Sequence, residues 1–315
     1  MSQRPLWELD ELWERTFSDS VTCCAVGVRD TGHPQLIVGS EDATLSMFDG
    51  FGNQAWSHEF EDSVWCCSIG PSKHDPKGVV IAGCADGTLT AFDMRGSKLW
   101  EQIYDDSVRC CYMGDVFGNS TNVILVGLDN GALRILDEAG KVLWATQFKQ
   151  AVLSCFVGDC NHDGENELLV GSYDKSLRVL DLNGSLLWKK TFPRPVHHCF
   201  VEDLTGDGKK EVISGSLSVF QLDALLWDLN IFGVVRCSFV EDLTGDGHKE
   251  LLAGCYDKSL RIFNALGTQL CKHHFNEAIL CCAVGDLNGD KRNEVVVGTA
   301  GKELKVLKVL VLRHF

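Results

Sequence analysis

Proline is scarce in this 315-residue chain, six in all, and no polar low-complexity tract interrupts it. With no Pro-rich or Ser-rich stretch to serve as a linker, the expectation is one domain over 1–315. Cations are also few: 29 Lys and Arg stand against 44 Asp and Glu, a formal charge of −15. That balance argues against a nucleic-acid or anionic-membrane surface, which needs clustered Lys and Arg. Long apolar runs are missing too. The opening MSQRPLWELDELW has neither the basic n-region nor the apolar h-region of a secretory signal. The final VLKVLVLRHF is too short and too charged to span a bilayer.

What is present is a repeat. Residues 151–188 hold the apolar runs VLSCFVG, ELLVGS and SLRVLDL, and a fourth, SLLWKKTF, starts before they end. Turn-forming clusters (DCNHDGEN, YDK, NG) separate them, so each run reads as a strand and the set as an antiparallel meander. Trp13, Trp56, Trp100, Trp144 and Trp188 mark the period at 43, 44, 44 and 44 residues. Trp227 follows after 39, then Cys271 and Phe315 after 44 each, giving seven repeats over 14–315. Four strands in about 44 residues is the pattern of a propeller blade. The expected fold is all-β: a seven-bladed β-propeller of four-stranded antiparallel blades.

Residues 6–18 include LWELDELWERTF, which matches outer-strand segments such as GSLLWKKTF, while the last repeat lacks its final turn signal. The N-terminal segment is therefore expected to supply the outer strand of the last blade and remove an open edge. Blade 5 is the irregular repeat. SGSLSVFQLDALLW is five residues shorter than its blade-4 counterpart and lacks a YDK turn.

The fifteen cysteines fall mostly into two columns of the inner strand. One holds Cys24, Cys67, Cys111, Cys155, Cys199 and Cys282, completed by Ser238; the column before holds Cys23, Cys66, Cys110, Cys237 and Cys281. No C-x-x-C spacing occurs, so these read as small buried residues where inner strands crowd together. So many unpaired thiols suit a reducing compartment, and the expected localisation is cytoplasmic.

Four loops between first and second strands share one pattern: DCNHDGENE (159–167), DLTGDGKKE (203–211), DLTGDGHKE (242–250) and DLNGDKRNE (286–294). Oxygen side chains recur at positions 1, 3, 5 and 9, a spacing that can wrap calcium, with Gly at 6 permitting the turn. The candidate ligands are Asp159, Asn161, Asp163 and Glu167; Asp203, Thr205, Asp207 and Glu211; Asp242, Thr244, Asp246 and Glu250; Asp286, Asn288, Asp290 and Glu294. Threonine is a poorer ligand than Asn, and Lys291 stands where Gly is wanted. The competing reading is that the Asp side chains cap backbone N–H groups of a tight turn, with no metal.

The D-x-[NT]-x-D-G-x-x-E loops followed by ELLVGS resemble the FG-GAP repeats of integrin α-subunit propellers. GSxDxSLRVLDxxGxLLW is also similar to quinoprotein and WD-type blades. The resemblance covers seven units as a fold and blades 4–7 as a loop motif. It implies calcium loops in the later blades. Intracellular FG-GAP-like propellers with similar loops serve as assembly scaffolds, which the thiol content favours.

For enzymatic chemistry the chain offers little. His197–His198 and His273–His274 read as strand residues, and no Ser, His and acid trio has recognisable spacing. Vicinal Cys pairs such as 23–24 and 281–282 sit in strands, where adjacent side chains point to opposite faces and cannot bond.

One face of a propeller carries the loops entering the inner strands and the second-to-third-strand turns; we call it the top. Blades 1–3 place Asp19, Glu41, Asp42, Glu61, Asp62, Asp86, Asp105, Asp106 and Asp129 there. Blades 4–6 place Lys149, Tyr173, Lys175, Arg194, Phe232, Tyr256 and Lys258. Near the channel mouth stand Trp65, Arg109, His197 and Arg236, residue types that dominate interface hot spots. The missing turn of blade 5 is expected to open a groove beside Phe232. Together these features point to a non-enzymatic intracellular scaffold, a subunit of a larger protein complex. The alternatives are a calcium-dependent extracellular adhesion or carbohydrate-binding propeller and a quinone-dependent dehydrogenase.

Overall fold

The computed structural model describes residues 7–28, 34–72, 78–117, 121–215, 217–221, 224–229 and 234–311. They form seven four-stranded antiparallel sheets, and in six of them strand order follows chain order. The inner strands are Val21–Val28, Val64–Gly70, Val108–Asp115, Val152–Gly158, Cys199–Glu202, Val235–Glu241 and Ile279–Gly285. In the seventh blade the outer strand is Trp7–Thr16, paired with Glu303–Val311 from Trp7↔Val311 to Thr16↔Glu303. The ring is closed by the two ends of the chain. Trp13 thus fills the outer-strand column of blade 7, and Phe315 lies outside the described residues. Among the described residues no helix is long and apolar enough to cross a membrane.

Burial explains the composition of each strand. Second strands such as Pro34–Ser40 and Asn122–Leu128 are buried along their whole length, because both faces meet neighbouring blades. They accordingly read as continuous apolar runs rather than alternations. Outer strands such as Val142–Gln147 alternate between exposed and half-buried after their first two residues.

The repeated tryptophan is a blade-to-blade fastener. Nε1 of Trp13, Trp56, Trp100 and Trp227 donates to the carbonyls of Gly50, Met94, Glu138 and Ala265, in the third-to-outer turn of the following blade, at 2.8–3.3 Å. Second-strand glycines let the inner strands approach. A Cβ at Gly127 would lie 2.5 Å from both Cys110 Sγ and Val152 Cγ1 of the next blade, and Gly39 and Gly254 are equally confined. Blade 5 adapts to its shorter segment by shortening all four strands to four or five residues.

Candidate functional site

The top-face mouth is built by a repeated irregularity. Every inner strand except that of blade 5 shifts register after its first residue, leaving the second residue unpaired. Such a bulge re-aims a side chain. The bulged residues are Thr22, Trp65, Arg109, Leu153, Arg236 and Leu280, with His197 taking the blade-5 place. All seven line one 580 Å³ cavity, together with Glu41, Asp129, Tyr173 and Tyr256. Six sequence candidates therefore converge: Trp65, Arg109, Tyr173, His197, Arg236 and Tyr256. Lys175, Arg194 and Lys258 stand outside this lining as exposed residues. Lys258 is engaged, with Glu277 at 3.2 Å and the Asn276 carbonyl at 2.8 Å. Phe232, and with it the expected groove, lies outside the described residues.

Within the cavity the two arginines differ. Arg109 lies 3.8 Å over the Trp65 ring and is held by Asp129, Nε to Oδ1 at 2.8 Å. Arg236 meets no carboxylate among the described residues. Its Nη1 donates to His197 Nδ1 at 3.1 Å, and its Nε–H is buried without an acceptor. Burial, reinforced by Arg236 and Arg109, pushes His197 down to about 4, so the ring is neutral and free to accept from Arg236 at pH 7.

His197 and His198 correct the strand reading: both precede the blade-5 strand Cys199–Glu202, whereas His273 and His274 do end a strand. His198 Nδ1 lies 3.0 Å from Ser238 Oγ. This pair is a geometry the sequence did not advertise, since its members are 40 residues apart. Ser238 is buried, and burial, with Arg236 nearby, pushes His198 down to about 4.

The pair belongs to a belt. Each residue of the earlier Cys column touches one of the later column on the next blade: Cys23–Cys67, Cys66–Cys111, Cys110–Cys155, Ser154–Cys199, His198–Ser238, Cys237–Cys282 and Cys281–Cys24. The contacts close a ring of seven. Hydrogen bonding to the partner thiol, with burial, pushes Cys24, Cys67, Cys155 and Cys282 well above the usual thiol range. Since the thiolate is the nucleophile, these four thiols should be inert. Ellman's reagent is expected to leave these thiols untouched in the folded protein and to find all fifteen in denaturant. Rapid native titration of these four would contradict the packing.

On the opposite face the four loops fold alike. The first Asp (Asp159, Asp203, Asp242, Asp286) accepts the backbone N–H groups three and five residues on, at 2.7–3.1 Å. The second (Asp163, Asp207, Asp246, Asp290) accepts the N–H two residues on, at 2.8–2.9 Å. The final Glu turns inward: Glu167, Glu211, Glu250 and Glu294 are buried and accept N–H from Cys160, Leu204, Leu243 and Leu287. Asn161 and Asn288 donate to Glu167 and Glu294, Thr205 to Glu211, while Thr244 Oγ1 is buried without a partner. Lys291 adopts the left-handed conformation (φ 68°) that Gly164, Gly208 and Gly247 hold in the other loops.

These oxygens face N–H donors. No group of three or more His, Cys, Asp or Glu among the described residues is arranged to hold a metal ion. As it stands, the donor set is engaged in a hydrogen-bonded turn.

Burial raises all four glutamates, Glu250 to about 7. A carboxyl raised on folding contributes stability that is complete below its unfolded value and is lost as pH rises through the folded one. Glu250→Gln should therefore change stability little near pH 4.5 and raise the melting temperature at pH 8, with the gain developing up to about pH 7. Melting curves of both proteins across that window check it; a pH-independent difference would contradict it.

With the geometry in place, three comparisons bear on the chain. A family model described as "KPTN: KICSTOR complex protein kaptin" matches residues 136–226. That stretch runs from the end of the third strand of blade 3 into the outer strand of blade 5. No curated protein matches the sequence. Among solved structures, the crystal structure of the WD40 β-propeller domain of Doa1 is similar with a TM-score of 0.72. The similarity covers 95% of this chain and 97% of that one, at 16% identity. The likeness extends to the fold. What docks on the top face has to be argued from this chain's own side chains.

Proposed function

We propose that the protein is a non-enzymatic interaction scaffold, a subunit of a larger protein complex, that takes its partner on the top face. The observation that carries this is the channel mouth, where six aromatic, Arg and His candidates line a single cavity. Exposed Asp19, Glu61, Asp62 and Asp105 on one side, and Lys175 and Arg194 on the other, divide the rim by charge, which orients a partner. The kaptin-matched segment supports membership in a complex. Its outer strands expose the apolar pairs Val142–Leu143, Leu186–Leu187 and Leu225–Leu226 on three successive blades.

The four shared loops support a likeness to FG-GAP propellers, with the loops acting as structural turns. Fifteen free thiols favour a reducing cytoplasm. Ser238 of the His198–Ser238 pair is buried in the belt, which speaks against hydrolytic use.

The test is recovery of partners from native cytosol. Lys175→Glu combined with Arg194→Glu should cut recovery several-fold without lowering thermal stability, whereas Lys209→Glu on the opposite face should not. Equal loss from both faces, or loss from the Lys209 side alone, would overturn the reading.

A further inference from the structure

We propose that the channel mouth anchors a carboxylate, carried by an acidic side chain of the partner that is flanked by apolar residues and received by the Arg236 guanidinium. This rests on the top-face reading and names the chemistry recognised there.

The argument begins with charge. Of the two guanidiniums in the cavity, Arg109 is neutralised by Asp129. Arg236 has no carboxylate partner among the described residues and leans on a neutral imidazole. Two carboxylates, Asp129 and Glu41, line the cavity with the two guanidiniums, but the half-buried Arg236 pairs with neither. Charges taken out of water are normally paired, so a missing counter-charge is the feature to explain.

Geometry adds the second element. Guanidinium presents a planar fork that matches carboxylate with two parallel N–H bonds. His197 takes Nη1, and the Nε edge remains unsatisfied. A buried donor without an acceptor is costly, so the present pose is not held by a full set of bonds. Turning the fork onto a carboxylate in the cavity would satisfy Nε.

The rest of the lining selects the class of anion. Glu41 and Asp129 share the cavity and would repel a phosphate dianion more than a monoanion. Trp65, Leu153 and Leu280 supply apolar wall on the other blades, and Tyr173 and Tyr256 stand at the rim, 55% and 46% exposed. Apolar neighbours of the acidic residue would pack there.

The test uses the full chain and two labelled ten-residue peptides, acetylated and amidated so that only side chains carry charge. One alternates Glu and Leu; the other alternates Gln and Leu. Fluorescence anisotropy should show the Glu peptide binding at least tenfold more tightly. Arg236→Lys, which keeps the charge and loses the fork, and Arg236→Met should weaken it by roughly 10- to 100-fold. Lys209→Glu should leave it unchanged. Equal binding of both peptides to the unmodified protein, or undiminished binding to the Arg236 variants, would overturn the proposal. So would displacement of the peptide by inorganic phosphate at lower concentration than by acetate, which would assign the fork to a phosphoryl group. Partner recovery separates the two levels of argument. Loss with the Lys175 and Arg194 reversals but not with Arg236→Met overturns the anchor alone, and no loss with either overturns the face itself.

Discussion

Deleting residues 1–17 is expected to destroy the cooperative fold or to lower its melting temperature by roughly 10 °C or more. The closing strand does two jobs. It completes blade 7 by pairing along Glu303–Val311, and it fastens blade 7 to blade 1. Trp7 is buried in the core between blades 6 and 7. Trp13 packs beside Phe48 and donates to Gly50, while Arg15 Nη2 reaches the Gly52 carbonyl at 2.8 Å. Lys305 holds Glu11 and Glu14 at 2.8 and 2.7 Å across the pair. Truncating a buried Trp costs about 3–5 kcal/mol, and a whole domain is stable by about 5–15 kcal/mol. Losing two tryptophans and a strand's worth of pairing therefore uses most of that margin. A milder probe, Trp13→Ala, should cost about 3 kcal/mol in a denaturant melt. A truncated protein that melts with the full chain would show that the ring does not need its closure.

The second large effect is expected at a position with no side chain at all. Gly127→Val should destabilise by about 3 kcal/mol or more, at the upper end of overpacking. The new Cβ would sit 2.5 Å from Cys110 Sγ and from Val152 Cγ1, in neighbouring inner strands that carry the thiol belt and the channel wall. Neither strand can retreat without moving its blade. Gly127→Ala should cost less, and adding Val152→Ala should recover part of the loss, because the smaller residue clears one of the two contacts. Strictly additive costs in that double-mutant cycle would mean the glycine serves something other than the approach of the blades.

Much of this architecture is legible in the sequence because the physics that builds it is periodic. Trp56 and Trp100 recur since each must reach the next blade's turn. The match between LWERTF and the outer strands betrays the closing strand. The Cys columns mark where inner strands crowd, though their cross-blade pairing is invisible because partners lie 44–45 residues apart, or 257 across the ring closure (Cys24–Cys281). The strand glycines were equally silent, since their reason lies in another blade.

His197 stands at the channel mouth as expected but precedes its strand, for a local cause. In FPRPVHH, Pro193 and Pro195 have no N–H to give a ladder, and the blade-5 inner strand starts only at Cys199. The acidic loops stayed ambiguous for another reason. Oxygen side chains at positions 1, 3, 5 and 9 suit a cation or a set of backbone N–H groups equally, and the inward turn of Glu167 and its three counterparts is not written in that spacing. Likewise, Arg236 in a sequence is simply an arginine. What sets it apart is the absence of a carboxylate beside it among the described residues.

The most direct measurement of the docking face is hydrogen–deuterium exchange of the protein alone and bound to its recovered partner. Protection should fall on the top-face segments around Trp65, Arg109, Tyr173–Lys175, Arg194–His197, Arg236 and Tyr256–Lys258, with the loops 159–167, 203–211, 242–250 and 286–294 unchanged. Protection confined to those loops, with the channel mouth exchanging as freely as before, would contradict the account.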